Sequence, residues 1–140
     1  MNALILHRIA HYFYKRKIPL LPMVFQALIF FLFNSYVPYQ VRIGAGSRFG
    51  HRGIGVVLNK DSRIGCNVLI RAHVTIGKKT SDGMAPVIED DVEIGDGAKI
   101  IGDVTVGKGA VIGANAVVVK DVPSYALAVG VPAKIIEKKT

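Results

Sequence analysis

An aliphatic residue returns at every sixth position along most of this chain, and few folds tolerate that spacing. Ile64, Ile70, Ile76, Ile88, Ile94, Ile100, Val106, Ile112 and Val118 hold one register. Two residues ahead of each stands a small or β-branched residue or a proline: Ser62, Val68, Val74, Pro86, Val92, Ala98, Val104, Ala110 and Ala116. Glycine often follows directly, as at Gly65, Gly77, Gly95, Gly107 and Gly113. A helix repeats every 3.6 residues and a half-buried strand every two, so neither produces a period of six. The spacing predicts hexapeptide coils, each hexad a short strand and a turn, stacked as an all-β solenoid, a parallel β-helix. The aliphatic side chains then stack inside, and the glycines are expected in turn conformations that a Cβ disfavours.

Charge and composition divide the chain. Residues 1–60 hold eight Lys or Arg and no acid, while residues 61–140 hold ten of each sign. Nine of the eleven Phe and Tyr precede residue 40, and the first glycine is Gly44. These shifts set a helical N-terminal segment at 1–42, a repeat domain at 43–123 and a capping tail at 124–140. The single Cys66 excludes an internal disulfide and suits a reducing compartment, so a cytoplasmic location is expected. A chain that is 51% hydrophobic is expected to oligomerise.

Residues 2–16 read as a helix with Leu4, Ile5, Ile9, Tyr12 and Phe13 on one apolar face. His7 and His11 share another face at i, i+4 spacing and read as surface or interface histidines, since no third metal ligand is near. From Ile18 to Phe33 runs a nearly apolar stretch interrupted by Pro19 and Pro22, shorter than the roughly 20 residues of a bilayer span. It does not read as a secretory signal, because no small-residue cleavage site follows. Two readings stay open for it. One is a helix packed on the repeats or a neighbouring subunit. The other is a basic, aromatic-rich anchor lying peripherally on the inner face of the cell membrane. No nucleic-acid-binding motif accompanies the charge.

The repeat is broken twice. Leu58 lies nine positions after Phe49, where six are due, so residues around His51-Arg52-Gly53-Ile54-Gly55 should protrude. Interruptions of a regular solenoid are where function tends to sit. Asp82 then occupies an aliphatic position within residues 77–84, which predicts a polar loop. The segment Ala128-Val129-Gly130-Val131-Pro132-Ala133-Lys134-Ile135-Ile136 is expected to fold back over the last coil.

These segments resemble the hexapeptide-repeat acyltransferases. The likeness rests on Arg48 to Asn59, Val74-Thr75-Ile76-Gly77 and Gly130-Val131-Pro132-Ala133-Lys134-Ile135, and covers about residues 36–137. Within that superfamily the chain is most similar to the serine acetyltransferase branch, especially its short relatives associated with surface-polysaccharide gene sets. The resemblance implies a left-handed β-helix, a homotrimer and acetyl-CoA as co-substrate, with no metal required. It identifies His51 with the catalytic histidine, a group whose titration near neutrality suits a general base. It sets Gly77, Asp96, Gly97 and Ala114 along a groove for coenzyme A, with Lys120 and Lys134 as phosphate contacts. His73, Tyr36 and Asn59 are the candidate acceptor-side residues; Tyr36 occupies the position of the family's orienting aspartate, and Tyr36, Asn59 or a backbone carbonyl are the groups available to orient His51.

The family's Arg-His pair before a proline, which holds an amino-acid acceptor, is replaced here by Met84-Ala85-Pro86. The expectation is therefore an O-acetyltransferase acting on a sugar hydroxyl in surface-polysaccharide synthesis, with serine O-acetylation for cysteine synthesis as the alternative. A γ-type carbonic anhydrase needs three zinc histidines, and only His51 and His73 lie in the repeats. A non-catalytic scaffold would have no reason to carry the slip at His51.

Overall fold

The structure is a computed structural model that describes residues 1–137. Four coils follow one another, each with three short strands. The first holds β1 (Arg42–Ile43), β2 (Arg48–Phe49) and β3 (Val57–Leu58); the second β4 (Arg63–Ile64), β5 (Leu69–Ile70) and β6 (Thr75–Gly77). The third holds β7 (Val87–Ile88), β8 (Glu93–Ile94) and β9 (Lys99–Ile101); the fourth β10 (Thr105–Val106), β11 (Val111–Ile112) and β12 (Val117–Val118). Each strand pairs in parallel with its equivalent one coil away, giving the walls β1-β4-β7-β10, β2-β5-β8-β11 and β3-β6-β9-β12. The tail adds β13 (Leu127–Val129) in parallel to β11, and β14 (Lys134–Ile136) turns back antiparallel onto β13. It thus covers the edge of the second wall; residues 138–140 of the expected capping tail lie outside the described residues.

The nine six-spaced aliphatic residues are all at most 4% exposed and form the axis of the core. The glycines that follow them serve a purpose other than the expected one. The backbone at Gly95 and Gly107 is not left-handed; instead, a Cβ would lie 2.7 Å from Ala114 N at the first and 2.5 Å from Ser124 N at the second. Glycine is there to let successive coils touch. The left-handed corner positions are shared by other glycines, Gly46, Gly97 and Gly109, and by Asn67, His73, Asp91 and Asn115 with φ near +60°.

Two helices sit over the first coil. α1 (Ala3–Lys15) starts at Asn2, whose side chain accepts from Leu4 N and donates to the Phe49 carbonyl. Arg8 donates to the carbonyls of Ile43 and Gly44 at 2.7 and 2.8 Å. The buried face of α1 is Ala3, Leu4, Leu6, His7 and Ala10, whereas Ile5 and Tyr12 are half exposed. This corrects the expected apolar face. The start of the helix lies so close to the coil that small Ala3 makes the contact, and reading by side-chain size selected a different stripe. α2 (Leu21–Phe33) has Pro22 in its first turn and ends at Asn34 in the left-handed conformation. Only Pro22 and Ile29 of α2 are buried, with Phe25 and Phe33 partly so.

His7 is also corrected: it is 1% exposed, and neither ring nitrogen has a hydrogen-bond partner. His11 stacks on it at 5.7 Å and bonds the Tyr39 carbonyl through Nδ1. Burial, then the neighbouring His11 and Arg8, push the His7 pKa down to about 4, against a weaker opposing pull from the backbone at Val41 and Pro38. Unfolding restores the ordinary value, so the unfolded chain binds the extra proton first. Stability contributed by neutral His7 is complete above about pH 6.5 and is lost as pH falls toward 4, by about 3 kcal/mol in all. Urea unfolding of His7→Leu should lack that part of the decline between pH 6.5 and 4; an unchanged slope would remove His7 from the cause.

Candidate functional site

Ordinary coils repeat after 18 residues, as in Val87 opposite Thr105 and Val111 opposite Glu93. Arg42 pairs with Arg63 and Arg48 with Leu69, each 21 residues on, so the first coil carries three extra residues. They leave the wall between β2 and β3 as a 3-10 turn at Gly50–Gly53 and a short return. His51 and Arg52 are both left-handed there (φ 48° and 62°), followed by Gly53 and Gly55 with φ of 85° and 69°. Such conformations persist only where surrounding structure holds them.

Both helices supply that hold. A Cβ at Gly53 would meet Phe49 at 2.7 Å and the Ala3 methyl at 2.9 Å, so the start of α1 lies directly on the turn. From the end of α2, the Phe33 carbonyl accepts from Gly55 N at 3.1 Å. The buried Ser35 hydroxyl donates to the Gly53 carbonyl and accepts from Val56 N. The N-terminal segment is thereby a clamp on the displaced loop.

Below the loop, one corner of the prism runs from the second wall to the third through every coil. It carries His51, then Arg71-Ala72-His73, then Gly95-Asp96-Gly97, then Gly113-Ala114-Asn115. Backbone bonds run down it: His73 N to Ile54 O, Gly97 N to Ala72 O and Asn115 N to Asp96 O, at 2.9–3.0 Å. The Asp96 carboxylate accepts from Ala72 N at 3.1 Å, and its Oδ1 lies 3.9 Å from His51 Nε2. That gap is too long for a hydrogen bond and within reach of an ion pair once the ring is protonated. Both side chains remain open to solvent, His51 at 66% and Asp96 at 50% exposure. Alongside, Arg71 and Glu93 form a 2.7 Å ion pair that raises the arginine's pKa. Chemically, this is an accessible imidazole facing a backbone-anchored carboxylate.

The expected residues separate into groups. His51, His73, Asp96, Gly97 and Ala114 share the corner. The His73 ring packs where a Cβ of Gly55 would be, so it seats the loop. Tyr36, Asn59 and Gly77 lie together along a groove on the third wall with Val57 and Thr75. Tyr36 is held there by backbone pairing with Val57, and the Asn59 side chain is engaged by Asp61 N. The carboxylate facing His51 therefore comes from Asp96, which sequence had set in the coenzyme groove. The usable signal was coil register, which stacks residues 51 and 96 in one corner. Lys120 lies elsewhere, in a small cleft with Pro132, Ala133 and Ile135, and Lys134 is exposed on β14. Among the described residues no three His, Cys, Asp or Glu side chains converge to hold a metal.

A second opening lies beside residues 78–86, where the second coil is six residues longer than the regular repeat. It is lined by Arg42, Lys60, Arg63 and Lys78, with Met84 and Ala85 on its loop side. Its one acid, Asp61, bonds Lys78 at 2.7 Å, and that bond lowers the carboxyl's pKa. Arg42 and Arg63 are direct cross-strand neighbours, like charges with no acid of their own among the described residues.

The family model for the bacterial transferase hexapeptide (six repeats) matches residues 85–120. The serine acetyltransferase of Helicobacter pylori (strain ATCC 700392 / 26695) is 36% identical over 140 residues, 99% of this chain and 81% of that protein. That of Synechococcus elongatus is 35% identical over 137 residues, 96% of this chain and 56% of its own. The chain thus spans only about half to two-thirds of the length of several curated relatives. A soybean serine acetyltransferase solved in complex with serine superposes with a TM-score of 0.88 at 38% identity, over 96% of this chain and 56% of that one. A serine acetyltransferase in complex with CoA gives 0.86 and 39%, over 96% and 55%. These similarities overturn the expectation of a surface-polysaccharide sugar as acceptor. That reading leaned on a missing side-chain pair at Met84-Ala85.

Gly55→Ala should cost about 1–3 kcal/mol in urea unfolding, because the position is left-handed and its Cβ displaces the His73 ring. In a His73→Ala background the steric part should vanish, leaving about 1 kcal/mol from the backbone. Equal losses in both backgrounds would mean that the ring does not seat the loop.

Proposed function

Since the chain belongs to the hexapeptide-repeat transferase family, on its serine acetyltransferase branch, we propose that it transfers an acetyl group from acetyl-CoA to the serine hydroxyl. The similarity over 99% of the chain to a relative of that name is the observation that carries this reading. The site's chemistry agrees with it. Neutral His51 takes the proton of the serine hydroxyl as its oxygen bonds to the acetyl carbonyl carbon. Asp96 stabilises the imidazolium, and a backbone N–H supports the oxyanion. His51 then returns the proton to the CoA sulfur as the carbon–sulfur bond breaks.

Residues on the third wall and its corner suit coenzyme A. A Cβ at Gly77 would meet nothing nearer than Ile101 at 3.7 Å, so the wall beside it is open to a ligand lying along the coils. Gly77, Gly97 and Ala114 would border the cofactor, with Lys120 and Lys134 near its phosphates. Arg42 and Arg63 would hold the serine carboxylate in place of the missing Arg-His pair.

His51 and the cation-lined opening lie on different corners of one prism. The reading therefore includes a homotrimer in which one protomer's opening meets its neighbour's His51. A peripheral membrane contact would involve α2 and lies outside the transfer reaction.

A thiol-release assay with acetyl-CoA and serine tests the proposal. His51→Ala should lose at least about a hundredfold in rate while folding normally, and Arg63→Glu should raise the KM for serine more than it lowers kcat. At a serine concentration where each variant alone is slow, co-assembled trimers of the two should recover part of the activity if the site is shared between protomers. Wild-type turnover in His51→Ala, or no release with serine, would reject the reading.

A further inference from the structure

The transfer reading leaves one large feature unused. α2 contains no charged residue, and its protein-facing stripe is narrow: Pro22, Phe25, Gln26, Ile29 and Phe33, at successive helical spacing. The opposite side is apolar and open, with Met23 at 58%, Val24 at 51%, Phe30 at 52%, Phe31 at 80% and Leu32 at 58% exposure. Apolar surface this continuous marks a docking face. At the helix's near end the exposed turn Lys15-Arg16-Lys17 carries three cations, with no acid paired to them among the described residues.

We propose that the open face of α2 and the Lys15-Arg16-Lys17 turn form a seat for an anionic bilayer surface. Charge selects this occupant. A second copy docked face to face on α2 would set like patches against each other, and any other protein contact on this face is an outcome of the light-scattering test. Each copy brings the same three cations, and residues 1–60 contain no acid to offset them. An anionic surface attracts those cations and buries the apolar ridge in the same approach. The contact is interfacial: thirteen residues of helix reach only about 20 Å against a hydrocarbon layer of about 30 Å. No helix among the described residues is long and apolar enough to cross a membrane. A groove at the foot of α2, with Tyr36, Tyr39 and Lys60 beside Phe30 and Phe31, adds the aromatic and cationic groups that favour the headgroup layer.

Cosedimentation with phosphatidylglycerol–phosphatidylcholine vesicles and with pure phosphatidylcholine vesicles tests this, at about 50 mM and about 500 mM salt. The wild-type chain should sediment with the anionic vesicles at low salt and be released at high salt. Phe30→Ser/Phe31→Ser should lower partitioning at least about tenfold. Lys15→Gln/Arg16→Gln/Lys17→Gln should lower it about a hundredfold, at roughly fivefold per cation. All these side chains are exposed, so the thermal midpoint and thiol release should stay as in wild type. Wild-type protein remaining in the supernatant, or sedimenting equally after either set of changes, overturns the proposal. So does a fall in oligomer mass on Phe30→Ser/Phe31→Ser by light scattering, which would make the face a protein–protein contact. Cosedimentation and light scattering do not depend on the acceptor, so a failed acetyl-transfer assay and a failed vesicle assay point to different readings.

Discussion

Every inward aliphatic residue must lie over its equivalent in the next coil, and the backbone bonds between coils enforce that stacking. A residue added inside a strand would throw its whole hydrophobic set onto the outer face. Extra residues can therefore go only into the corners, pointing away from the axis. The three added before β3 and the six added before β7 obey this rule. Both of the molecule's openings with chemical potential follow from it: the His51 loop and the cation-lined cleft beside residues 78–86.

A displaced loop with successive left-handed residues does not stay in one place by itself. The N-terminal helices supply what the coils cannot, with Ala3 against Gly53, Ser35 bonded across the loop and Phe33 capping Gly55. The contact requires a close approach, which is why α1 sets Ala3 against the loop. The same helix also seals His7 beside His11, Arg8 and the backbone at Pro38 and Val41, where burial favours its neutral form. Helical segment and displaced loop are thus one mechanical unit, although composition separates them sharply.

Much of the candidate site was legible because a solenoid translates sequence interval into position. His51 stood out as a residue in a nine-residue interval where six were due, and the polar loop at 77–84 stood out in the same way. What escaped notice was relation between distant coils. Asp96 was assigned to the coenzyme groove by resemblance, and only the stacking of corners brings its carboxylate toward His51. Tyr36 and Asn59 were offered as its partners, but backbone pairing and a local turn bond occupy them on the neighbouring wall. The opening beside residues 78–86 escaped for a similar reason. An absent Arg-His pair is visible in a sequence, whereas Arg42, Lys60, Arg63 and Lys78 become a cluster only when two coils and a loop close around one opening.

The amino-acid sequence by itself determined the β-helix, the number and place of its interruptions and the histidine set in one of them. A period of six can be satisfied by hexapeptide coils and by neither a helix nor a flat strand, so those features needed no coordinates. Tertiary structure decided which face of α1 is buried, how much of α2 stays uncovered and which carboxylate meets the imidazole. Those outcomes depend on how closely two backbones approach and on which corners stack, and neither quantity is carried by the spacing of residues along the chain.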